Sequence, residues 1–317
     1  MNRPLASIDI GSNTFRLLIA RPARNGSTPP WDTIYYTHRI VRLGEGLHHN
    51  GRLCDAGMHR AIQALREFAE ILRTHAVAPK QTYAVATAAM REAENGQVFS
   101  SRIESETGIH IEIIDGDSEA AISLKGAVAV LLPQTRKNML LFDIGGASTE
   151  FIRADDGQLI EAISRKLGVV RLVEAFLKSD PPTADDYLAM KEVAHEHLKK
   201  VELHWGNGHS PEHLVGTAGT VTTLTAIHLN LFPYDAARVN NHCITKTAFH
   251  GLRDRLLKLT HAEREAMPPI EPGRADLIIA GLAMIDAIMD RWRFDRLITV
   301  DAGLLEGVWL TGVENLS

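Results

Sequence analysis

Three short turns in this chain carry the residue types that a phosphate group needs. Gly11-Ser12-Asn13-Thr14 and Gly145-Gly146-Ala147-Ser148 follow Asp9 and Asp143, each two residues downstream of its aspartate. Glycine lets backbone N–H groups approach phosphate oxygens with no side chain in the way. A carboxylate at the end of the preceding strand can hold magnesium, directly or through water, and the metal offsets phosphate charge. The third turn, Gly216-Thr217-Ala218-Gly219-Thr220, lies between a short strand pattern and a helical one. Its amides and the helix N-terminus make an anion site. One such turn alone reads as an ordinary connection, whereas three in one chain favour phosphate.

Other phosphate folds do not fit. No turn ends in Gly-Lys-Ser/Thr, as a Walker A loop would. Gly11-Ser-Asn-Thr-Phe-Arg16 does not supply the GxGxxG of a dinucleotide fold. Histidine is plentiful, but Thr260-His-Ala-Glu-Arg-Glu265 is not HExxH, and His195-Glu-His197 places its two rings on different helix faces. The basic pairs Arg165-Lys166 and Lys199-Lys200 read as solvated faces or as a guide for a polyanionic chain, and the sequence leaves both open.

The elements that must position these turns alternate between strand and helix. Residues 5–10 and 14–20 read as two strands around Gly11-Ser12-Asn13, and residues 32–42 as a third. Residues 55–76 form an amphipathic helix with Met58, Ala61, Ile62, Leu65, Phe68, Ala69 and Leu72 at three- and four-residue spacing. Strand 82–86, helix 96–107 and strand 110–114 follow. Asp117 is placed to cap a helix that runs to about Leu132. A strand from Leu140 then opens a second strand–turn–strand unit. Helices near 184–202, from 220, 246–259 and 274–292 come next, with strands at 213–215 and 296–300 and a last helix from about Gly303. The mixture is α/β. Asp9-Ile-Gly-Ser-Asn-Thr-Phe-Arg16 overlies Asp143-Ile-Gly-Gly-Ala-Ser-Thr-Glu150, so duplication explains the pair better than two unrelated hairpins.

Bulk composition narrows the partners. The 317 residues are 45% hydrophobic and 23% charged, with 34 Lys+Arg against 39 Asp+Glu and a net charge of −5. A basic excess that would announce nucleic-acid binding is absent. Cys54 and Cys243 show no CxxC spacing, which argues against a disulfide framework or structural zinc. The N-terminal stretch, broken by Asp9, Asn13 and Arg16, is no signal peptide, and 277–289 is too short to span a bilayer. The expectation is a cytoplasmic protein with no membrane and no nucleic-acid partner.

The Asp-Ile-Gly turns resemble those of the actin–hexokinase–Hsp70 superfamily. More narrowly, the chain resembles the exopolyphosphatase / guanosine-pentaphosphate phosphatase (Ppx/GppA) family, in its short two-domain form. Ala86-Thr-Ala-Ala-Met-Arg-Glu-Ala93, Ile113-Ile-Asp-Gly-Asp-Ser-Glu-Ala120 and Asp301-Ala-Gly-Leu-Leu-Glu-Gly307 join the three turns in carrying this resemblance, in order from about residue 6 to residue 312. It implies two ribonuclease-H-like (actin-like ATPase) α/β domains with an interdomain cleft, spanning 1–124 and 125–301, with the helix 302–317 packed on the first. It implies that Glu119 activates the attacking water, and that Asp143 and Glu150, with Asp9 assisting, hold Mg2+ or another divalent cation. Arg91, Ser12, Asn13, Thr14, Gly145, Gly146, Ala147, Ser148, Gly219 and Thr220 carry over as phosphate contacts. Alternation along its strand leaves Glu150 able to face solvent, and Arg91, beside Glu92, has an exposed loop arginine as its plainer reading. Ala147 departs from the glycine that the family often has there.

The implied activity is Mg2+-dependent removal of a terminal phosphate from inorganic polyphosphate, from the guanosine polyphosphate pppGpp, or from both. A non-hydrolytic ppGpp or polyphosphate sensor and a phosphotransferase of the same superfamily remain as alternatives. A homodimer is left open.

Overall fold

A computed structural model of the chain describes residues 3–24, 26–206 and 210–315. The chain divides into two compact units. One comprises the residues up to Val130, Gly145–Ala147 and the stretch from Ala302; the other comprises Leu131–Ile144 and Ser148–Asp301.

The first unit is built on a five-stranded sheet in the order β3-β2-β1-β4-β5. Its elements are β1 (Leu5–Ile10), β2 (Thr14–Pro22), β3 (Trp31–Ile40), α1 (Leu47–Asn50), α2 (Asp55–Thr74), β4 (Thr82–Ala86), α3 (Ala88–Glu92), α4 (Gly96–Thr107), β5 (Glu112–Ile113) and α5 (Gly116–Val130). β1 pairs antiparallel with β2 and parallel with β4, so its aspartate end lies beside the start of α3. The apolar stripe of α2, with Ala61, Ile62, Leu65, Phe68 and Leu72, joins Ile8, Ile10, Phe15 and Leu17 of the sheet in one core.

The second unit is built on a six-stranded sheet in the order β10-β11-β9-β6-β7-β8. Along the chain come β6 (Met139–Ile144), β7 (Thr149–Asp155), β8 (Gln158–Arg165), α6 (Val169–Phe176), α7 (Ala184–Trp205), β9 (His213–Thr217), α8 (Ala218–His228), α9 (Ala236–Val239), β10 (Cys243–Thr245), α10 (Lys246–Leu257), α11 (His261–Glu265), α12 (Leu277–Arg291) and β11 (Arg296–Thr299). The order β8-β7-β6-β9-β11 repeats β3-β2-β1-β4-β5, so both sheets have the ribonuclease-H-like topology. α12 is buried from Leu277 to Met289 and forms the centre of this core. Its one buried acid, Asp286, is 1% exposed and is held by Tyr187 Oη at 2.9 Å, Lys191 Nζ at 2.9 Å and Arg253 Nη1 at 3.1 Å.

The last helix, α13 (Leu304–Glu314), belongs to the first unit. It crosses α5 where only glycine fits: a Cβ on Gly126 would come to 2.0 Å from the Gly303 carbonyl oxygen, and one on Gly307 to 1.9 Å from that of Ile122. The indole of Trp309 is buried and donates to the Leu5 carbonyl at 3.2 Å, which ties α13 to β1.

Several local expectations change. β8 and α6 carry no strand or helix assignment in the sequence reading. The strand expected over 110–114 shrinks to Glu112–Ile113. The cap of α5 is Asp115, whose Oδ1 accepts from Ser118 N at 2.7 Å, while Asp117 lies within the first helical turn. The backbone hydrogen bond from Ser118 is also the main cause that holds the Asp115 carboxyl below its usual value. Among the described residues no helix is long and apolar enough to cross a membrane.

Candidate functional site

In the first unit, the turn between β1 and β2 is closed by Gly11 N donating to Thr14 O at 3.2 Å. A Cβ on Gly11 would meet that same oxygen at 2.9 Å, so the closure requires glycine. The carbonyls of Ser12 and Asn13 accept from Gly44 N and from Val41 N and Arg42 N, which anchors the turn to the segment after β3. Ser12, Asn13 and Thr14 are buried. Asn13 Nδ2 donates to Thr14 Oγ1 at 3.2 Å, and its buried Oδ1 has no partner, which leaves a polar atom for a ligand. Asp9 sits one register step from this turn and faces Arg16, with Nη1 to Oδ2 at 3.6 Å.

α3 and α5 of this unit bring two further candidates together. Arg91 is not in a loop; it lies in the last turn of α3 and is half-buried. Its Nη1 donates to the Ile114 carbonyl at 2.7 Å and to Glu119 Oε2 at 3.0 Å. Glu119 is in the first turn of α5 and only 6% exposed. A buried carboxylate therefore sits against a guanidinium whose remaining donors suit phosphate oxygens.

In the second unit, the corresponding hairpin puts a different pair at the same place. Asp143 on β6 opposes Glu150 on β7, and Glu150 opposes Ser164 on β8. Residues directly opposite in an antiparallel ladder share a sheet face with Cβ atoms roughly 5 Å apart, so the two carboxylates lie side by side. Glu150 is 1% exposed, contrary to the solvent-facing expectation, because β7 is an interior strand with β8 on its other side. Ser164 Oγ donates to Glu150 Oε1 at 2.7 Å and fixes its orientation. Asp143 is half-buried. Two neighbouring carboxylates repel, and their oxygens suit a hard divalent cation such as Mg2+, so the residues present fit that ion. Gly145, Gly146, Ala147 and Ser148 form the turn between the two strands, with Ala147 and Ser148 buried.

The third turn is shaped by close packing. β9 extends through Thr217, and α8 begins at Ala218, two residues earlier than expected. A Cβ on Gly216 would strike the Phe142 ring at 2.6 Å. Ala218 holds φ +72°, a left-handed conformation that costs a residue with a Cβ about 1 kcal/mol. No side chain caps α8, so its first-turn N–H groups remain available to an anion. Thr220 is buried. Gly219 lies under the guanidinium of Arg274: a Cβ there would come to 1.8 Å from Nη1. Glu271 pairs with Arg274 at 2.7 Å and steadies it. Arg274 was not among the residues expected from sequence; it follows a Pro-Gly turn with no local motif, and only tertiary packing brings it onto the loop.

The structure also extends the duplication. β4 and α3 meet at Ala86-Thr87-Ala88-Ala89, and β9 and α8 meet at Gly216-Thr217-Ala218-Gly219, at equivalent places in the two sheets. Each sheet thus has two loops suited to phosphate. The first adds a buried Arg91–Glu119 pair, and the second adds a carboxylate pair and Arg274.

Comparison with known proteins finds relatives along most of the chain. The Ppx/GppA phosphatase family matches residues 20–316. The chain is 31% identical over 316 residues to exopolyphosphatase 2 of Mycobacterium tuberculosis, covering 97% of this chain and 98% of that protein. It is 31% identical over 314 residues to the bifunctional 3-dehydroquinate synthase/phosphatase of Fusobacterium nucleatum, covering 98% of this chain but spanning only 46% of that protein's length. Its fold matches the crystal structure of the Aquifex aeolicus Ppx/GppA family member with a TM-score of 0.82 at 30% identity, over 100% of this chain and 99% of that one.

Proposed function

Because the chain belongs to the Ppx/GppA phosphatase family, we propose that it hydrolyses the terminal phosphoanhydride bond of inorganic polyphosphate, of pppGpp, or of both. The observation that carries this reading is the opposed pair Asp143–Glu150 beside the Gly145–Ser148 turn, two carboxylates suited to a cation next to a turn suited to phosphate. Relatives described as exopolyphosphatase and as phosphatase support the reaction class.

Asp143 and Glu150 would hold Mg2+, with Asp9 assisting through water. Such an ion supplies charge neutralisation on the transferring phosphoryl group. Ser12, Asn13, Thr14, Gly145, Gly146, Ala147, Ser148, Gly219 and Thr220 offer backbone and hydroxyl donors to phosphate oxygens. Arg91 and Arg274 add guanidinium donors. Glu119 takes a proton from water as the water oxygen attacks the terminal phosphorus in line. The P–O bond to the penultimate phosphate breaks, and the products are orthophosphate and the shortened chain or ppGpp. Arg91 orients Glu119 through the 3.0 Å contact and presents its other donors to the substrate. General-base assistance of this kind contributes roughly 10²–10⁴-fold.

Phosphate release from long-chain polyphosphate and from pppGpp, measured with and without magnesium and beside Glu119→Gln, tests the reading. Magnesium-dependent release that the substitution abolishes is the expected result, and the relative rates name the preferred substrate. Tight binding of either compound without release would replace the hydrolase with a sensor.

A further inference from the structure

His195 and His197 sit two positions apart on α7, and their surroundings differ accordingly. His195 faces α12, among Lys191, Asp286, Asp290 and Arg291. His197 faces the end of β8 and α6. Burial, then the charges of Arg165, Lys200 and Arg171, in that order, hold its imidazole below the usual value. Among the described residues, the charges that shift it most, Arg165, Lys200 and Arg171, are all positive. The nearby acids of α7 and β8 have cations of their own: Glu196 pairs with Lys199, and Glu161 with Arg153. Lys166 follows Arg165 directly, and Glu174, itself in contact with other groups, lies one turn beyond Arg171 on α6.

Among the described residues, His197 Nδ1 and Arg165 Nε are buried with no hydrogen-bond partner. A buried nitrogen without an acceptor is rare in native structures and asks for an explanation. Arg165 opposes Thr149, one step out of register from the Glu150–Ser164 pair. Its side chain therefore leaves the strand pair on the face opposite the carboxylates. α6, which follows, has no side-chain cap at its N-terminus.

We propose that Arg165, Arg171, His197 and Lys200 form a second anion site on this opposite face. It holds a segment of a phosphoanhydride chain away from the cleaved end, and His197 takes up a proton as the chain binds. The identity of the ligand rests on the reading of the protein as a polyphosphate hydrolase; the site itself rests on the cluster. Chain oxygens supply acceptors to both orphaned nitrogens. Their negative charge also reverses the repulsion that keeps the imidazole neutral. By linkage, chain binding weakens as pH rises through the imidazole range. A substrate short enough to occupy only the carboxylate face gains nothing from the site.

The test is titration calorimetry of Glu119→Gln protein with long-chain polyphosphate, inorganic triphosphate and pppGpp, in two buffers of different ionisation enthalpy. Proton uptake is expected with long-chain polyphosphate alone. Added to that background, His197→Gln is expected to abolish the uptake and to weaken long-chain binding about tenfold. Lys200→Gln, at an exposed position that leaves the fold intact, is expected to weaken it several-fold. Binding of triphosphate and pppGpp is expected to stay unchanged in both. Absence of proton uptake, or unchanged long-chain affinity in both variants, overturns the proposal. So does an equal loss for triphosphate or pppGpp, which would make these residues part of the primary site. Phosphate release by the wild-type protein is measured separately, so a protein that binds the chain with proton uptake but releases nothing refutes the hydrolase and leaves this site standing.

Discussion

The two hairpins that open the two sheets share strands, turn and register, yet differ in the residue opposite the aspartate. In the first, Asp9 meets Arg16. In the second, Asp143 meets Glu150. One change of charge within a duplicated frame separates a hairpin with an internal ion pair from one in which two carboxylates face each other. Both hairpins carry a turn of small and hydroxyl residues, and the opposing side chain decides whether two carboxylates face each other there, the arrangement proposed above to hold Mg2+.

The sharpest way to break this difference is to neutralise the second hairpin. Glu150→Gln is expected to lower phosphate release about 10³-fold and to remove its stimulation by magnesium, read from initial rates across a magnesium titration. Asp9→Asn, which neutralises the one carboxylate of the hairpin that already has its own cation, is expected to cost only about tenfold. Equal losses would mean that both hairpins hold the ion.

The strand-to-helix turns sharpen the contrast further. Gly219→Ala displaces the Arg274 guanidinium from its loop and is expected to raise KM several-fold with little change in kcat, because one charged contact to phosphate is shifted. Ala218→Gly relieves a left-handed residue and is expected to stabilise the protein by up to about 1 kcal/mol in thermal melts. Its counterpart in the first unit, Ala88, is not left-handed, so Ala88→Gly is expected to destabilise by roughly 0.5–1 kcal/mol.

The second unit also carries an acid-sensitive element. Burial raises the Asp290 carboxyl, but hydrogen bonds from Lys191 and Lys246 outweigh it and leave the group at about 2. The folded value is below the unfolded one of 3.8, so the stabilisation is complete above that pH and is lost as pH falls toward about 2. Acid unfolding followed by circular dichroism is expected to show this loss, and Asp290→Asn is expected to flatten it.

The turns themselves were legible because Asp-Ile-Gly and the small and hydroxyl residues after it are local. The α/β class was legible because strand and helix patterns alternate, and the two-domain plan came with the family resemblance that the turns carry. Burial of Glu150 was not, since it depends on β8, whose Gln-Leu-Ile-Glu-Ala-Ile-Ser-Arg reads poorly as an alternating strand. Arg274 reaches Gly219 through packing that no local spacing encodes. Asp117 was the cap expected from sequence, and only the hydrogen bond from Ser118 N to Asp115 Oδ1 shows that the cap lies two residues earlier. The opposition of Arg16 and Glu150 was visible in the aligned repeats, but its meaning required the register.

The bond from Trp309 to Leu5 joins residues 304 positions apart. While α2 can cover one face of the first sheet early, the packing of α13 on β1 waits until the chain has been made through Trp309. The second unit, contiguous apart from the Gly145–Ala147 turn, has all its strands in hand by Thr299. The second unit can therefore close its sheet before the first gains the helix that packs on β1.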